Sequence, residues 1–219
     1  MLLAAIQQGY TIPTINYIGS LTASSASVAS SGFDFGTSTG SKKLVVVTIA
    51  IANSSVNVSS VTAGGVSLSL QQAFDTGDNN RVAIAWGYDN AAFTGTKTVT
   101  ITCSGSSAAI AGAVYYVSNI NSGTAQESKL SNVAVNSENI AWSTINRGGV
   151  IFGVFGTSGG TAYDSPTWGN MTIDAGLLVN TMSSIHGSGN APTTPFNTTL
   201  YEPNLLDNTN RYLIMKGWR

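Results

Sequence analysis

The sequence predicts an all-β protein, an antiparallel β-sandwich with almost no helix. Three central segments carry this prediction, since each alternates an apolar residue with a small or polar one: Val66–Leu70, Arg81–Tyr88 and Thr96–Cys103. A period of two places one row of side chains in a core and the next row against water. Asp75–Asn80 and Phe93–Gly95, between these segments, are rich in turn-forming residues. The centre is therefore expected to be a β-meander or a Greek key.

Further strands are predicted before this centre. Ile15–Leu21 alternates and predicts the first strand, while Ser24–Gly40 is rich in Ser, Gly and Thr and is interpreted as a loop with a short strand inside it. Lys43–Ala52 is the most apolar run of the chain. Its length and its β-branched residues predict a central strand that is covered on both faces.

The second half of the chain has the same character. Asn121–Glu138 is polar and predicts a long connection or an edge segment, and Gly187–Pro195 is expected to be a loop. Apolar runs without a helical stripe predict strands at Asn139–Ile145, Gly149–Gly156, Asn170–Asp174, Leu177–Ile185, Phe196–Tyr201 and Arg211–Trp218.

The length of 219 residues fits one large β domain or two small ones. We expect residues 1–40 to form an N-terminal arm with the first strand and loop. Residues 41–219 are then expected to form a single jelly-roll-like β-sandwich domain. For residues 1–14, an arm that reaches a neighbouring subunit and a first edge strand remain equal alternatives.

Composition excludes several classes of function. Only 9% of the residues are charged and the net charge is −1, against roughly 25% charged residues in typical soluble domains. Nucleic-acid binding needs cations that neutralise phosphates, so we expect no nucleic-acid partner. No stretch reaches the roughly 18 apolar residues that a spanning helix requires, so we expect no membrane partner either.

An internal similarity supports a sandwich built from two Greek keys. Residues 45–70 can be laid over 150–175 without a gap, and Thr62–Leu68 then faces Thr167–Ile173. Both stretches run from a buried strand through a small-residue turn to an alternating strand. Two interpretations stay open: a chance match within Ser- and Gly-rich β sequence, or equivalent strand pairs in the two parts of a jelly roll.

The central segments also resemble a known family. Leu44–Val47, Val58–Leu68, Val82–Tyr88 and Gly95–Thr102, with Thr167–Gly169 later in the chain, resemble jelly-roll-like virion proteins of tailed bacteriophages and phage-like particles. The resemblance covers roughly residues 41 to 219 and its motifs are structural.

The resemblance implies a component of the virion: a capsid decoration or cement protein, a head-fibre base, or a tail-associated module. It implies that the protein binds major capsid or tail proteins and copies of itself. We expect a homo-oligomer, a trimer or another cyclic assembly. The alternative is a tail- or fibre-associated module that binds carbohydrate or a receptor.

Residues for catalysis or for a metal site are scarce. His186 is the only histidine and lacks a Gly-x-Ser-x-Gly neighbourhood, and it is interpreted as a surface or hydrogen-bonded residue at a strand end or in a loop. Cys103 is the only cysteine and is interpreted as a small core residue. One His and one Cys cannot supply a usual zinc site. We therefore predict a protein that is not an enzyme, without catalytic, cofactor-binding or metal-binding residues.

Asp75–Asn80 has closely spaced carboxylate and amide oxygens. Calcium prefers six to eight oxygen ligands, but the spacing does not match an EF-hand loop. A plain hairpin turn is the favoured interpretation.

Aromatic residues are the candidates for a sugar-stacking platform or a subunit interface. Trp86 and Trp142 lie in alternating rows and are predicted to pack in the core. Trp168 and Trp218 are freer to be exposed and are the predicted anchors of an interface. The Tyr115–Tyr116 pair is a further candidate for the platform.

Overall fold

The computed structural model contains strands as its regular elements, and in the described ranges it has no helix long and apolar enough to span a membrane. The all-β, antiparallel sandwich prediction is therefore confirmed. The structure describes residues 12–37, 42–75, 79–88, 91, 93–106, 109–120, 122–133, 137–143, 145, 148–157, 167–180, 182–191, 196–201 and 211–218.

The first half of the chain forms two antiparallel sheets. Sheet 1 has the strand order β1-β9-β3-β7-β6, and sheet 2 has the order β2-β8-β4-β5. The strands are β1 (Thr14–Ala23), β2 (Ser27–Asp34), β3 (Lys43–Ile51), β4 (Val58–Ala63), β5 (Val66–Ser67), β6 (Ser69–Asp75), β7 (Asn80–Tyr88), β8 (Thr96–Cys103) and β9 (Ile110–Ser118).

The second half forms another pair of sheets. Sheet 3 has the order β10-β17-β12-β15-β14, and sheet 4 has the order β11-β16-β13. The strands are β10 (Glu127–Val133), β11 (Ser137–Trp142), β12 (Val150–Thr157), β13 (Thr167–Gly169), β14 (Thr172–Val179), β15 (Met182–Asn190), β16 (Phe196–Tyr201) and β17 (Arg211–Trp218).

The two halves share one topology, and each is a jelly roll. In both halves, the chain alternates between the two sheets in the same order. Strands β1, β9, β3, β7 and β6 of sheet 1 therefore correspond in position to β10, β17, β12, β15 and β14 of sheet 3. The two compared stretches therefore occupy equivalent positions, but in two separate jelly rolls and not in the two parts of one. What repeats is a whole jelly roll, and the predicted single sandwich over 41–219 is two sandwiches.

The gap-free comparison is also one residue out of register in its first strand. Val45 faces the core of the first jelly roll, whereas Val150 faces the core between the two jelly rolls. Ala63 and Trp168, later in the comparison, both face the inside of their own jelly roll. A shift of one residue exchanges the two faces of a strand, and β3 and β12 are buried on both faces.

The four sheets stack in the order 2, 1, 3, 4, with a core in each of the three gaps. We call the core between sheets 1 and 3 the central core. Aromatic rings cross it. The centre of the Phe152 ring lies 5.0 Å from the centre of the Tyr115 ring and 5.9 Å from that of Trp218. The centres of the Trp218 and Trp86 rings are also 5.9 Å apart. The two jelly rolls are thus joined by buried packing.

The central core explains why β7 differs from its prediction. Its alternation predicted one buried and one solvent-facing row, yet Val82, Ala83, Ile84 and Ala85 are all fully buried. Ala83 and Ala85 pack toward sheet 2, while Val82 and Ile84 pack toward sheet 3. In β8 the prediction is confirmed, because Val99, Ile101 and Cys103 are buried and the residues between them are not.

Strand pairing does not follow the predicted boundary at residue 40. β1 pairs with β9 along sheet 1, and β2 pairs with β8 in sheet 2. Residues 14–34 therefore belong to the first jelly roll. The predicted arm, residues 1–14, lies outside the described residues except for Ile12, Pro13 and Thr14, and Thr14 begins β1.

Two predicted segments differ in the structure. Gly187–Pro195 is predicted to be a loop, but β15 continues to Asn190 because its glycines lie on β12 and under the β13–β14 connection. Leu177–Ile185 is predicted to be a strand, but it contains the turn between β14 and β15 at Asn180, which has a positive φ of 53°. The segment Asp75–Asn80 connects β6 to β7, with Asp75 paired to Asn80, as expected for a hairpin; residues 76–78 lie outside the described residues.

Candidate functional site

A groove of about 440 Å³ lies where the edge of sheet 1 meets the edge of sheet 3. This volume is in the range of small-molecule sites, roughly 300–1,000 Å³. We call it the edge groove. Its walls come from β1 and the residues before it on one side and from β14 and β15 on the other: Ile12, Pro13, Thr14, Ile15 and Tyr17, then Thr172, Asp174, Ser188, Gly189 and Asn190.

A β-bulge shapes the β1 wall. The register with β9 shifts between Tyr17 and Gly19, and Gly19 has a φ of 139°. Before the bulge Ile15 packs on the central core, whereas after it Leu21 packs in the first jelly roll. The bulge thus lets one edge strand serve two cores. Tyr17 lies directly before the bulge, and 39% of its surface is exposed.

A second bulge shapes the opposite wall. The register of β14 with β15 shifts between Ile173 and Ala175, and Asp174 is the extra residue. Bulges re-aim side chains next to functional sites. Ser188 Oγ donates a hydrogen bond of 2.7 Å to Asp174 Oδ2. Burial raises the pKa of the Asp174 carboxyl, and the hydrogen bond from Ser188 opposes this rise.

Tyr115 of β9 lies behind these residues and is fully buried. Its ring is 5.6 Å from that of Tyr17. Its hydroxyl group lies beside the Asp174 carboxyl and the Thr48 hydroxyl. Burial, and next the charge of Asp174, raise the pKa of Tyr115 well above its usual 10.

His186 lies deeper, on β15 in the middle of the stack. Its Nδ1 is 2.8 Å from Thr48 Oγ1 of β3, and its Nε2 is 2.9 Å from Ser184 Oγ. Each ring nitrogen therefore has a hydroxyl partner, in either tautomer. Burial lowers the pKa of His186 to about 3. The predicted hydrogen bonding is confirmed, but the predicted place at a strand end or in a loop is wrong.

A second concavity of about 470 Å³ lies beside Trp86, Tyr88 and residues 122–124. Lys216 Nζ lies 3.9 Å from the centre of the Trp86 ring, and the Trp218 ring packs edge-on against it. Trp218 Nε1 donates to the Gly123 carbonyl at 3.2 Å. Trp86, predicted to be a core residue, is half-buried, and its ring is already engaged by a cation and an aromatic neighbour.

The aromatic predictions are mixed. Trp142 is fully buried, as predicted. Trp168 and Trp218 were expected to be exposed, but they are 4% and 0% exposed. Trp168 packs over Gly153 and Gly187, which leave room for its ring, and Trp218 fills the central core. Tyr115 is buried and its neighbour Tyr116 is half-buried on the opposite face, so the pair forms no platform.

Clusters of metal ligands are absent from the described ranges, where no three residues among His, Cys, Asp and Glu come together. Cys103 lies in the core of the first jelly roll, as predicted, and burial raises the pKa of its thiol. Asp174 is the one acidic residue among the described residues that line the edge groove. One carboxylate is too few for a calcium site.

The sequence therefore pointed to the wrong aromatic residues and missed the edge groove. Tyr17 and Asp174 line one groove and each lies at a bulge of an edge strand, and the sequence carries no clear signal for either bulge. The glycine after Ile18 was a weak hint of an irregular strand. In comparisons with protein-family models, curated proteins and solved structures, the chain finds no match.

Proposed function

We propose that the protein is a non-enzymatic structural component of a bacteriophage virion. Its place is on the shell, as a capsid decoration or cement protein or as a head-fibre base, bound to the major capsid protein and to copies of itself. The observation that carries this proposal is the pair of jelly rolls joined back to back through an apolar core. Jelly rolls recur in viral capsids.

The low charge of the chain supports a docking role. In the described residues one ion pair is present, between Lys129 Nζ and Glu127 Oε1 at 2.6 Å. Faces with few ions can be buried without the cost of desolvating charge, and interface centres are depleted of charged residues. Edge strands of sheets 1 and 3 also expose large apolar side chains, Phe74, Leu130 and Leu178.

The stacked sheets support mechanical resistance. Three cores share the four sheets, and β3 and β12 at the centre are buried along their whole length. Opening one jelly roll therefore exposes apolar surface of the other. This arrangement suits a particle that has to persist outside a cell.

Quantitative mass spectrometry of gradient-purified phage particles tests the proposal. The expected result is that the protein is retained after washing, at a fixed ratio to the major capsid protein. Recovery only in the soluble fraction of lysed cells would contradict it.

A second candidate function is a carbohydrate- or receptor-binding module of a tail or fibre. The edge groove favours it, because a concave site of ligand size combines an exposed ring with a carboxylate. Jelly rolls also recur in lectins. The two functions are compatible, since a virion protein can carry a binding site.

A further inference from the structure

We infer that the edge groove is a binding site for a neutral saccharide, with the Tyr17 ring as its stacking face and the Asp174 carboxylate as its main hydrogen-bond acceptor. The inference rests on the second proposed function and does not require the protein to be part of a virion.

The charge of the groove excludes anionic ligands. Among its described lining residues there is no Lys or Arg, and Asp174 contributes a carboxylate. Phosphate, sulfate and carboxylate groups are usually held by Arg, Lys or a helix N-terminus, and the described elements are strands. A ligand that enters this groove therefore has to be uncharged or cationic.

One wall is apolar and carries an exposed ring. Ile12 and Tyr17 are exposed, and Ile15 lies half-buried between them. Tyr17 packs at an angle of 52° on the buried ring of Tyr115, so its position is supported from behind. A supported, exposed aromatic ring suits the apolar face of a sugar ring, because it offers a large contact area with few rotatable bonds to fix.

The opposite wall is polar. Asp174 Oδ2 accepts from Ser188, which holds the carboxylate in place, and Asn190 and Thr172 lie exposed beside it. A carboxylate has about four acceptor sites and the Asn side chain both donates and accepts. Vicinal hydroxyl groups fit such a set, since each hydroxyl is a donor and an acceptor.

The position of Tyr115 gives further support. Its fully buried ring packs behind Tyr17, and its hydroxyl lies beside the Asp174 carboxyl. The ring and the carboxyl that would contact the ligand are therefore both held by one buried side chain.

Two other uncharged or cationic ligands fit less well. A divalent metal needs several oxygen ligands, and one carboxylate is present. A purely apolar ligand would take the polar groups of Asp174 and Asn190 out of water without replacing their hydrogen bonds, at a cost that a saccharide avoids.

The test uses the full chain on an array of neutral and acidic oligosaccharides, followed by calorimetric titration of the neutral glycans that bind. The variants are Tyr17→Ala, Tyr17→Phe and Asp174→Asn. Phe74→Ala is the matched control, because Phe74 is an exposed ring on β6, at the opposite edge of sheet 1. Circular dichroism checks that each variant is folded.

The expected result is binding of neutral glycans that weakens about tenfold or more in Tyr17→Ala and Asp174→Asn. Tyr17→Phe keeps the stacking face and is expected to bind within about threefold of the wild type, as is Phe74→Ala. If Asp174→Asn does not fold, Tyr17→Ala decides alone, since its side chain is exposed.

Three outcomes would overturn the inference: no neutral glycan bound by folded protein, binding of acidic glycans only, or neutral binding that Tyr17→Ala leaves unchanged. None of these results bears on particle incorporation, which the mass-spectrometric experiment measures separately. Failure of the saccharide site is therefore distinguishable from failure of the virion proposal.

Discussion

Thr48 Oγ1 lies 2.8 Å from His186 Nδ1 and links the central strand of the first jelly roll to a strand of the second. Both residues are fully buried in the stack. The contact is a polar centre within a largely apolar interface, and Ser184 partners the second ring nitrogen. Both nitrogens of the neutral imidazole thus have hydroxyl partners within the interface.

The first prediction concerns acid. His186 has a folded-state pKa of about 3, below the usual 6.5, so the unfolded chain binds a proton first as the pH falls. Its contribution to stability is complete above pH 6.5 and is lost between about pH 6.5 and 3, at about 1.4 kcal/mol per pH unit. Urea unfolding of the wild type and of His186→Gln at pH 7, 6, 5 and 4 measures this.

The difference between the two unfolding free energies is expected to shrink steadily below pH 6. Burial raises the pKa of Asp174 above its usual 3.8, so this carboxyl lowers the stability of the folded protein above that pH. Asp174 is present in both proteins, and its effect therefore cancels in the difference between them. A difference that does not change with pH would mean that His186 is hydrated and titrates normally.

The second prediction concerns the central core. Phe152 packs on Tyr115 and Trp218 across the stack, so Phe152→Ala is expected to cost about 3–5 kcal/mol. The control Phe74→Ala removes a side chain that is 49% exposed and is expected to cost less than about 1.5 kcal/mol. Chemical denaturation measures both values.

Hydrogen exchange then shows whether the jelly rolls depend on each other. In Phe152→Ala, protection is expected to fall in β3 as well as in β12, since both strands border the central core. Loss of protection confined to the second jelly roll would indicate two independent domains.

The third prediction concerns the close approach of β15 to the start of β14. A Cβ at Gly187 would lie 2.7 Å from the Thr172 carbonyl oxygen and 2.8 Å from the Trp168 ring. Gly187→Ala is therefore expected to destabilise the protein by about 2 kcal/mol. Gly176→Ala, on the neighbouring strand β14, meets nothing within 4 Å and is expected to be neutral or slightly stabilising. Equal midpoints of thermal unfolding for the two variants would contradict this packing.

The fourth prediction concerns a buried lysine. Lys43 Nζ donates to the carbonyls of Phe35, Gly36 and Phe93, at 2.6, 3.3 and 3.2 Å. Lys43→Met leaves these carbonyls without the cation and is expected to cost about 2–3 kcal/mol. Lys42→Met is the control, because Lys42 is exposed.

A local readout separates this role from general destabilisation. The amide of Gly95 donates to the Gly36 carbonyl at 2.8 Å, beside the lysine. Its hydrogen exchange is expected to accelerate in Lys43→Met more than exchange in β12 does. Uniform acceleration along the chain would argue against a local clamp.

Strand alternation and turn residues were enough to predict the fold class and most strands. The doubly buried strands β3 and β12 were recognisable because they are continuous apolar runs, with apolar residues on both faces. Because both faces of these strands are apolar, a comparison that is one residue out of register still aligns apolar residues with apolar residues. The sequence therefore did not reveal the correct register of the repeat. The repeat itself was visible, but its size depended on distant pairings such as β1 with β9.

The site was harder to predict for the same reason. Trp168 and Trp218 looked free because their partners, the glycines of β12 and β15 and the rings of the central core, are distant in sequence. The bulges at Tyr17 and Asp174 could not be predicted, because a residue is extra in a strand only in relation to the strand that it pairs with. Local sequence predicts the strands, whereas the surfaces between sheets depend on how strands from both halves meet.

The most direct test of a docking role is reassembly. Phage particles are prepared from a mutant that lacks the gene for this protein, and purified protein is added to them. Bound copies are counted after sedimentation at low and at high salt. We expect saturable binding at a fixed ratio that changes little between about 0.05 and 0.5 M NaCl, since interfaces without ions are weakly screened. A protein that stays in the supernatant as a monomer at every concentration would contradict the account.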